Sequence, residues 1–450
     1  MYERVHYALQ FILDLVPTAA SNTLFPALVA EFPHITESKN ETIAFMRNAL
    51  RVVEYVPALR QKLLSVIIDR VIKVDIAIQG ELESLTNDEA NVMENDLLNI
   101  SAAETSSSSS SSSSESDSGS SGSSGSSSSE EDEDPTPPTR TITKEQKPLH
   151  NSLHKLDHML SLLFTFYTPL LTSPLTSTTT FTHLHSLFHT TILPTTRSRY
   201  TQFLIFHAAQ QSPLFSDTFC VSLLEKTMDN TRPPRTRIAA AAYIGSYIAR
   251  ARRVTAKQVR VVVSILCRWI AEFISARESE CTGPDITKWG VFYAVVQAVM
   301  YIFCFRHKEL DSLHFRDEDE EEQDNDAVKP RWLDSHLPIV ARAIHSRFNP
   351  LKCCDVIVVK TFAEVAEREE FVYAWSVVEE NRRRGGAGGR LEGYFPFDPV
   401  VLRRTGAWVG GSYVEWKGVK EGEESGSDDE EGTEDEEGSG SESEDEEDSE

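Results

Sequence analysis

Asp229 to Arg250 read DNTRPPRTRIAAAAYIGSYIAR, and this stretch decides the fold. An Asp followed by two prolines starts a helix well, because Asp caps free backbone N–H groups and proline fits the first turn. The run from Ala239 to Ala242, with Gly245 after it, places small side chains at and near Gly245 on the surface of that helix. A second helix can approach such a face closely, so the stretch predicts a helix packed against near neighbours.

Helical spacing of apolar residues continues on both sides of this stretch. Near the start of the chain the apolar positions are Leu59, Leu63, Leu64, Ile67, Ile68, Val71 and Ile72. The pattern resumes at Leu153 and runs to Arg383, and strand-like alternation is nearly absent. We therefore predict an all-α chain. The 229–250 stretch is similar to the HEAT-repeat pattern, in which paired helices stack into a solenoid. An ordinary Ala-rich helix in a bundle is the alternative.

Composition divides the chain into five segments. Ser106 to Ser114 is an unbroken serine run, and such a segment has too little apolar surface to offset its ordering entropy. The predicted segments are N-terminal helical repeats at 1–100, a disordered Ser-rich acidic linker at 101–147, helical repeats at 148–384 with an acidic loop at 317–326, a Gly-rich turn with an extended aromatic segment at 385–419, and a disordered acidic tail at 420–450.

The formal net charge of -26 is concentrated in three places. Residues 421–450 hold 18 acidic residues, and residues 317–326 and 104–134 hold 8 each. These are 34 of the 70 acidic residues, which leaves 36 acidic against 44 basic residues, a net charge of +8. We expect a mildly basic body with acidic, solvated appendages.

The sequence carries no recognisable catalytic or cofactor-binding motif. No phosphate-binding loop, dinucleotide fingerprint or HExxH is present, so we predict no enzyme, no cofactor and no small-molecule substrate. Cys304 and His307 would form a nucleophile–base pair only in a cleft, and Cys304 lies in the most apolar run of the chain. That run, Trp289 to Phe305, is short for a membrane span and favours a buried core helix, so we expect no membrane contact.

Histidines form the one pattern that suggests a metal. Three of them, His150, His154 and His158, recur every four residues, and His183, His185 and His189 follow nearby. Because no Cys or Glu completes an obvious ligand set, a partly exposed helix face is favoured over a metal site.

Basic residues cluster around the Ala-rich stretch. On stacked helices they would lie along one edge and meet phosphates or an acidic protein patch, while a solvated face is the alternative. The candidate partner-binding edge consists of Arg232, Arg235, Arg250, Arg253, Lys257 and Arg260.

Three long motifs resemble the RNA polymerase I-specific transcription initiation factor family. The first runs from Arg232 to Ala251, the second from Gly290 to Lys308, and the third is Tyr394-Phe395-Pro396-Phe397-Asp398-Pro399. They occur in the family's order, and the resemblance covers roughly 1–80 and 150–416. The family has further N-terminal helices, so this chain is expected to start inside the helical region.

The resemblance implies a nuclear and nucleolar adaptor with a HEAT-like fold. The family binds RNA polymerase I near its stalk and bridges it to the core promoter factor, and so acts indirectly on the ribosomal DNA promoter. Free molecules of the family can form homodimers, and phosphorylation controls polymerase binding. A general helical scaffold, such as a transport receptor or a histone-binding adaptor with acidic tails, is the competing interpretation.

Two further sets of residues are candidate sites. Phe395, Phe397 and Trp416 are predicted anchors of the C-terminal segment, because large aromatic surfaces are costly to leave in water. Serines with an acidic residue three positions later suit acidophilic kinases. They are Ser127, Ser128 and Ser129 in the linker, and Ser425, Ser427, Ser441 and Ser443 in the tail.

Overall fold

Helices make up the regular structure of the computed structural model, which describes residues 2–83, 147–195, 198–312, 331–332, 336–385 and 389–416. Within these ranges no β-strand occurs, and only two isolated β-bridges are found, Ala251–Tyr413 and Asp311–Trp332. The all-α prediction is confirmed. The Ser-rich linker, the acidic loop 317–326 and the acidic tail lie outside the described residues.

Four helices lie in the described range 2–83, and α2 follows a π-turn at Ala20–Leu24. They are α1 (Tyr2–Leu15), α2 (Phe25–Ala30), α3 (Lys39–Tyr55) and α4 (Arg60–Leu82). Ser38 caps α3 by accepting a hydrogen bond from the N–H of Glu41. The apolar positions recognised between Leu59 and Ile72 are buried, and α3 and α4 pack against the first helix after the linker.

Among the described residues from 147 to 312, seven α-helices form the central part: α5 (Lys147–Thr172), α6 (Ser177–Leu187), α7 (Phe203–Ala209), α8 (Pro213–Met228), α9 (Pro234–Arg250), α10 (Ala256–Arg277) and α11 (Ile286–Leu310). A π-turn, Phe188–Ile192, continues α6. The helix α9 lies at the centre and packs against α8 and α11. Because Gly245 has no side chain, α11 comes into van der Waals contact with the backbone of α9 at Ala298. The predicted close approach at the small-residue face is thereby confirmed.

Helix α11 is long and apolar enough to cross a membrane, but 83% of its most apolar window is buried inside the protein. It packs against α9, α10 and a later helix. The C-terminal helices are α12 (Ile339–His345), α13 (Pro350–Cys353), α14 (Val356–Arg368), α15 (Trp375–Arg384) and α16 (Arg403–Val409). Helix α16 falls within the segment predicted to be extended, so that segment is only partly extended.

Two buried aspartates join helices that are distant in sequence. Asp75 of α4 accepts hydrogen bonds from the backbone N–H groups of Arg199, Tyr200 and Thr201 at 2.9–3.1 Å, and from the Thr201 hydroxyl at 2.8 Å. These donors lie just before α7, and a carboxylate is favoured there. The contact ties the N-terminal helices to the central part.

Asp157 of α5 makes the same arrangement with the start of α16. It accepts from the N–H groups of Arg404 and Thr405 at 3.0 and 2.8 Å, and from the Thr405 hydroxyl at 2.8 Å. The last α-helix among the described residues is thus capped by a residue about 250 positions earlier. Residues 1–415 form one compact unit.

Candidate partner-binding surfaces

The C-terminal segment runs back along the end of α9. The N–H of Val414 donates to the carbonyl of Arg250 at 2.7 Å, and the N–H of Arg252 donates to the carbonyl of Ser412 at 3.0 Å. This short antiparallel pairing surrounds the Ala251–Tyr413 bridge. The segment is therefore part of the folded unit up to residue 415.

Two of the three predicted anchors are buried. Phe395 is 3% exposed and stacks on Tyr301 of α11 with ring centroids 3.7 Å apart. Phe397 is fully buried, its ring contacting Phe203, Phe206, Tyr243 and Tyr247. Trp416 is 37% exposed, at the end of the described residues. Whether these side chains hold the segment in place remains a prediction.

Arg250 was predicted to belong to the basic edge. This prediction is wrong, because Arg250 is only 5% exposed. Its Nε donates to the Tyr301 hydroxyl at 2.9 Å, and its guanidinium lies over the rings of Phe305 and Tyr413. Cation–π contacts and a buried hydrogen bond explain why a charged side chain is tolerated there. Arg250 therefore holds the C-terminal segment and is not available to a partner.

Asp398 faces the same arginine. Its carboxylate lies 3.9 Å from Arg250, and 38% of its side chain is exposed. Loss of hydration raises the pKa of Asp398 to about 6, although the charge of Arg250 acts in the opposite direction. The aromatic motif thus contains a carboxyl group whose pKa lies above its ordinary value.

The remaining basic residues do not form one edge. Arg232 and Arg235 lie at the start of α9, whereas Arg253, Lys257 and Arg260 follow its other end, about 22 Å away at 1.5 Å per residue. Arg232 is exposed and pairs with Asp229 at 3.2 Å.

Several arginines bind the carboxyl ends of helices. Arg253 donates to the carbonyl of Gln210 after α7, and Arg260 donates to the carbonyl of Glu309 in α11. Arg237 and Arg306, which are not among the six candidate edge residues, do the same for α8 and α9. Cations are favoured at these ends because the last carbonyls lack helical partners. These arginines therefore have structural roles, although Arg253 is exposed like Lys257, and Arg260 is half-buried.

A groove of about 970 Å³ opens between the end of α4, the start of α9, α11 and the C-terminal segment. Its lining includes the small apolar side chains of Ala239, Ala242 and Ala294. Charged residues of both signs line it: Arg199, Arg235, Arg390, Glu83, Glu392 and Asp398. Of these, Arg235 was a candidate of the basic edge, and Asp398 belongs to the Tyr394–Pro399 motif. The others come from three separate segments, so no single stretch of sequence marks the groove.

A second surface lies on α1. The side chains of Tyr7, Phe11 and Leu15 are 76%, 58% and 68% exposed, and Val5 and Ile12 are also exposed. Contiguous exposed apolar patches are often interaction sites, so the α1 face is a candidate partner-binding surface. The shallow pocket beside them includes Tyr55 at the end of α3. Tyr55 lies just before the start of α4, and Gln79, near the end of α4, lines the groove. The two surfaces are therefore separated by about 28 Å along α4.

The Cys304–His307 pair has no reactive thiol. Cys304 is buried, and burial raises its pKa to about 12, so the thiolate does not form near neutral pH. The candidate phosphosites lie outside the described residues.

Comparisons with known proteins agree with this architecture. The family model "RNA polymerase I specific transcription initiation factor RRN3" matches residues 1–421. The factor rrn3 of Schizosaccharomyces pombe is 34% identical over 92% of this chain and 67% of its own length. The factor RRN3 of Saccharomyces cerevisiae is 28% identical over 94% and 73%, and that of Mus musculus is 27% identical over 93% and 61%. The chain thus spans about two thirds of the length of these relatives.

A crystal structure of the RNA polymerase I transcription initiation factor Rrn3 superposes with a TM-score of 0.69. It is 24% identical and is matched over 91% of this chain and 73% of its own, which shows a shared helical-repeat fold. Together, the matched length and the similarity to the fission yeast factor show that this chain belongs to the RRN3 family of RNA polymerase I-specific transcription initiation factors, a family without enzymatic activity.

Proposed function

We propose that the chain binds RNA polymerase I in its stalk region and bridges it to the core promoter factor, which brings the polymerase to the ribosomal DNA promoter. The observation that carries the proposal is the family match over residues 1–421. A location in the nucleus follows from this role, and we infer accumulation in the nucleolus, where ribosomal DNA is transcribed.

The described surfaces suit an adaptor with two large partners. The apolar face of α1 and the mixed-charge groove are separated by α4, a helix of 23 residues with one buried face. A helical spacer keeps the two partners at a fixed distance. Little conformational entropy of the adaptor is then lost when the partners bind. We assign no partner to either surface, and each is to be tested separately.

A homodimer of the free protein is a second element of the proposal. The exposed apolar face of α1 would be covered in such a dimer, and large apolar patches are uncommon on monomers. The dimer and the polymerase complex would compete if both use this face.

The first experiment mixes the purified full chain with RNA polymerase I, with the core promoter factor, and with both. We expect a ternary complex in size-exclusion chromatography that does not form when the chain is left out. The double variant Tyr7→Ser/Phe11→Ser tests the α1 face, and Leu175→Ser, at a side chain that is 93% exposed, is the matched control.

The competing function, a general histone-binding adaptor, is tested in parallel with histones H3–H4. Histone binding that disappears when residues 421–450 are removed, together with no retention of polymerase, would overturn the proposal in favour of that alternative. Retention of polymerase without the core promoter factor would reduce the proposal to polymerase binding alone.

A further inference from the structure

The mixed-charge groove combines small apolar side chains with two exposed arginines. Arg235, Ala239 and Ala242 lie at positions i, i+4 and i+7 of α9, so they line the groove along about 10 Å of that helix. Ala294 of α11 and Arg390 of the C-terminal segment line it as well, and both arginines are exposed. Because the alanine side chains are short, larger apolar side chains from another segment can enter between the helices.

One polar group in the lining lacks a partner. The side-chain Nε2 of Gln79, near the end of α4, is buried and has no hydrogen-bond partner among the described residues. Buried amide donors are nearly always hydrogen-bonded, so a partner is expected in whatever fills the groove. Glu83, the first residue after α4, lines the same groove. The described part of the N-terminal helices therefore ends at the groove itself.

The sequence that follows Glu83 has the pattern of an amphipathic acidic helix. Thr86-Asn87-Asp88-Glu89 has the spacing of a capping box, which starts a helix. Apolar residues then recur at helical spacing, and acidic residues lie on both sides of that apolar stripe. The stripe consists of Ala90, Met93, Leu97 and Ile100, and the flanking acidic residues are Glu89, Glu94 and Asp96. No basic residue occurs between 84 and 100.

We propose that residues 87–100 bind in the groove of their own chain, with the apolar stripe on the alanines of α9 and α11 and the acidic flanks toward Arg235 and Arg390. An amphipathic helix that lies in a groove is a common mode of peptide recognition. Burial of the apolar stripe supplies the affinity, while the charge pairs set the orientation. This contact lies outside the polymerase-binding role and does not depend on it.

The point at which the segment begins favours this occupant over a partner protein. Only residues 84–86 separate Glu83 from the segment. A tether this short gives an effective concentration on the order of millimolar, so a segment whose free peptide binds with a Kd of about 0.1 mM occupies the groove about nine-tenths of the time. The residues from 101 to 146 can span up to about 150 Å, so the return to α5 at Lys147 is not strained.

The acidic residues of the lining leave room for an acidic segment. The carboxylate of Asp398 already lies beside Arg250, at 3.9 Å. Glu83 and Glu392 are exposed, so their side chains can turn into solvent. A guanidinium carries five N–H donors, so each of the two exposed arginines can bind a carboxylate of the segment in addition to its other partners.

Hydrogen–deuterium exchange of the full chain is the first test. A free helix of 14 residues is marginal in water, so the amides of 87–100 should be protected only when the segment is bound. We expect protection of about tenfold in wild type, from the occupancy given above. Arg235→Glu and Ala242→Trp, which fills the groove, should each remove most of it. Arg232→Glu, at an exposed residue outside the groove lining, is the matched control and should leave it unchanged.

A second measurement uses a labelled peptide of residues 86–101 and the full-chain variant Met93→Ser/Leu97→Ser/Ile100→Ser, whose own segment should no longer bind. Fluorescence anisotropy should show the peptide binding this variant about tenfold more tightly than wild type, because the groove of wild type is already occupied. Adding Arg235→Glu to the variant should weaken peptide binding, and adding Arg232→Glu should not.

Four results would overturn the proposal. The first is unprotected exchange of 87–100 in wild type. The second is protection that survives both groove variants while the amides of α11 exchange as in wild type, which would mean that the segment packs elsewhere. The third is protection that rises with protein concentration, which would indicate the segment of a second copy as the occupant. The fourth is equal peptide binding to wild type and to the triple variant.

Discussion

Gly245 of α9 faces Ala298 of α11 so closely that a methyl group on Gly245 would lie 2.9 Å from the Ala298 Cβ and 3.0 Å from its Cα. The second of these atoms belongs to the backbone and cannot rotate away. The contact between the two central helices of the stack therefore depends on glycine at this position.

Gly245→Ala should destabilise the protein by about 1–3 kcal/mol, as overpacking in a core does. The matched control is Gly80→Ala in α4, where an added Cβ meets nothing within 4 Å. That change should stabilise by about 0.4–1 kcal/mol, because alanine restricts the unfolded chain. Urea denaturation of both variants measures the difference, and equal midpoints would contradict the close packing.

Asp75→Ala should cost at least about 2 kcal/mol, because it leaves three backbone N–H groups and one hydroxyl without their acceptor. Asp69→Ala is the control on the same helix, since Asp69 forms an exposed pair with Lys73. Exposed pairs contribute little, so the control should stay within about 0.5 kcal/mol of wild type. Equal effects in a denaturation experiment would show that the buried cap is dispensable.

Phe395→Ala/Phe397→Ala should lower the stability by several kcal/mol, on a scale of about 3–5 kcal/mol for each buried ring. Both side chains are buried against α11 and α9, respectively. Leu175→Ala, at a side chain that is 93% exposed, should have no measurable effect. A double variant with the melting temperature of wild type would mean that the two rings do not anchor the segment.

Asp398 gives a pH-dependent prediction. Its pKa is raised from 3.8 to about 6 in the folded chain, so folding favours its protonated form. The resulting stabilisation is present below about pH 4 and is lost as the pH rises to about 6. Asp398→Asn should remove this dependence. Melting temperatures of wild type and variant, compared from pH 4 to 7, should therefore diverge across that window, and parallel curves would exclude a raised pKa.

Phosphorylation of Ser127, Ser128 and Ser129 should change polymerase binding. Three phosphates add about -5 charges to a body with a balance of +8. The measurement is titration of RNA polymerase I with chain treated by an acidophilic kinase, at low and at moderate salt. Deletion of 104–134 is the control and should abolish the effect. If phosphorylation of the tail serines or of the folded surface were responsible, the change in polymerase binding would persist after that deletion.

The sequence predicted the helices well where apolar residues recur with a helical period. The close packing of α9 could be predicted because it depends on small side chains in a single stretch. The basic edge could not be predicted in this way. The tertiary fold decides which helix end lies beside Arg253 or Arg260, and so whether the arginine is bound there. The groove was missed for the same reason.

Asp75 did leave a signal in the sequence. It lies four residues after Val71 and three before Ile78, on the apolar face of a predicted helix. A carboxylate at such a position must find buried donors. Its partners were unpredictable, because they are backbone groups more than 120 residues away.

The two buried caps affect how this protein can evolve. Asp75 and Asp157 bind mainly backbone N–H groups, which every amino acid except proline supplies. The side chains of Arg199, Tyr200 and Arg404 can therefore change without loss of these hydrogen bonds. Purifying selection should instead act on the two carboxylates. Asp75 and Asp157 should therefore change less often in evolution than the residues whose N–H groups they bind.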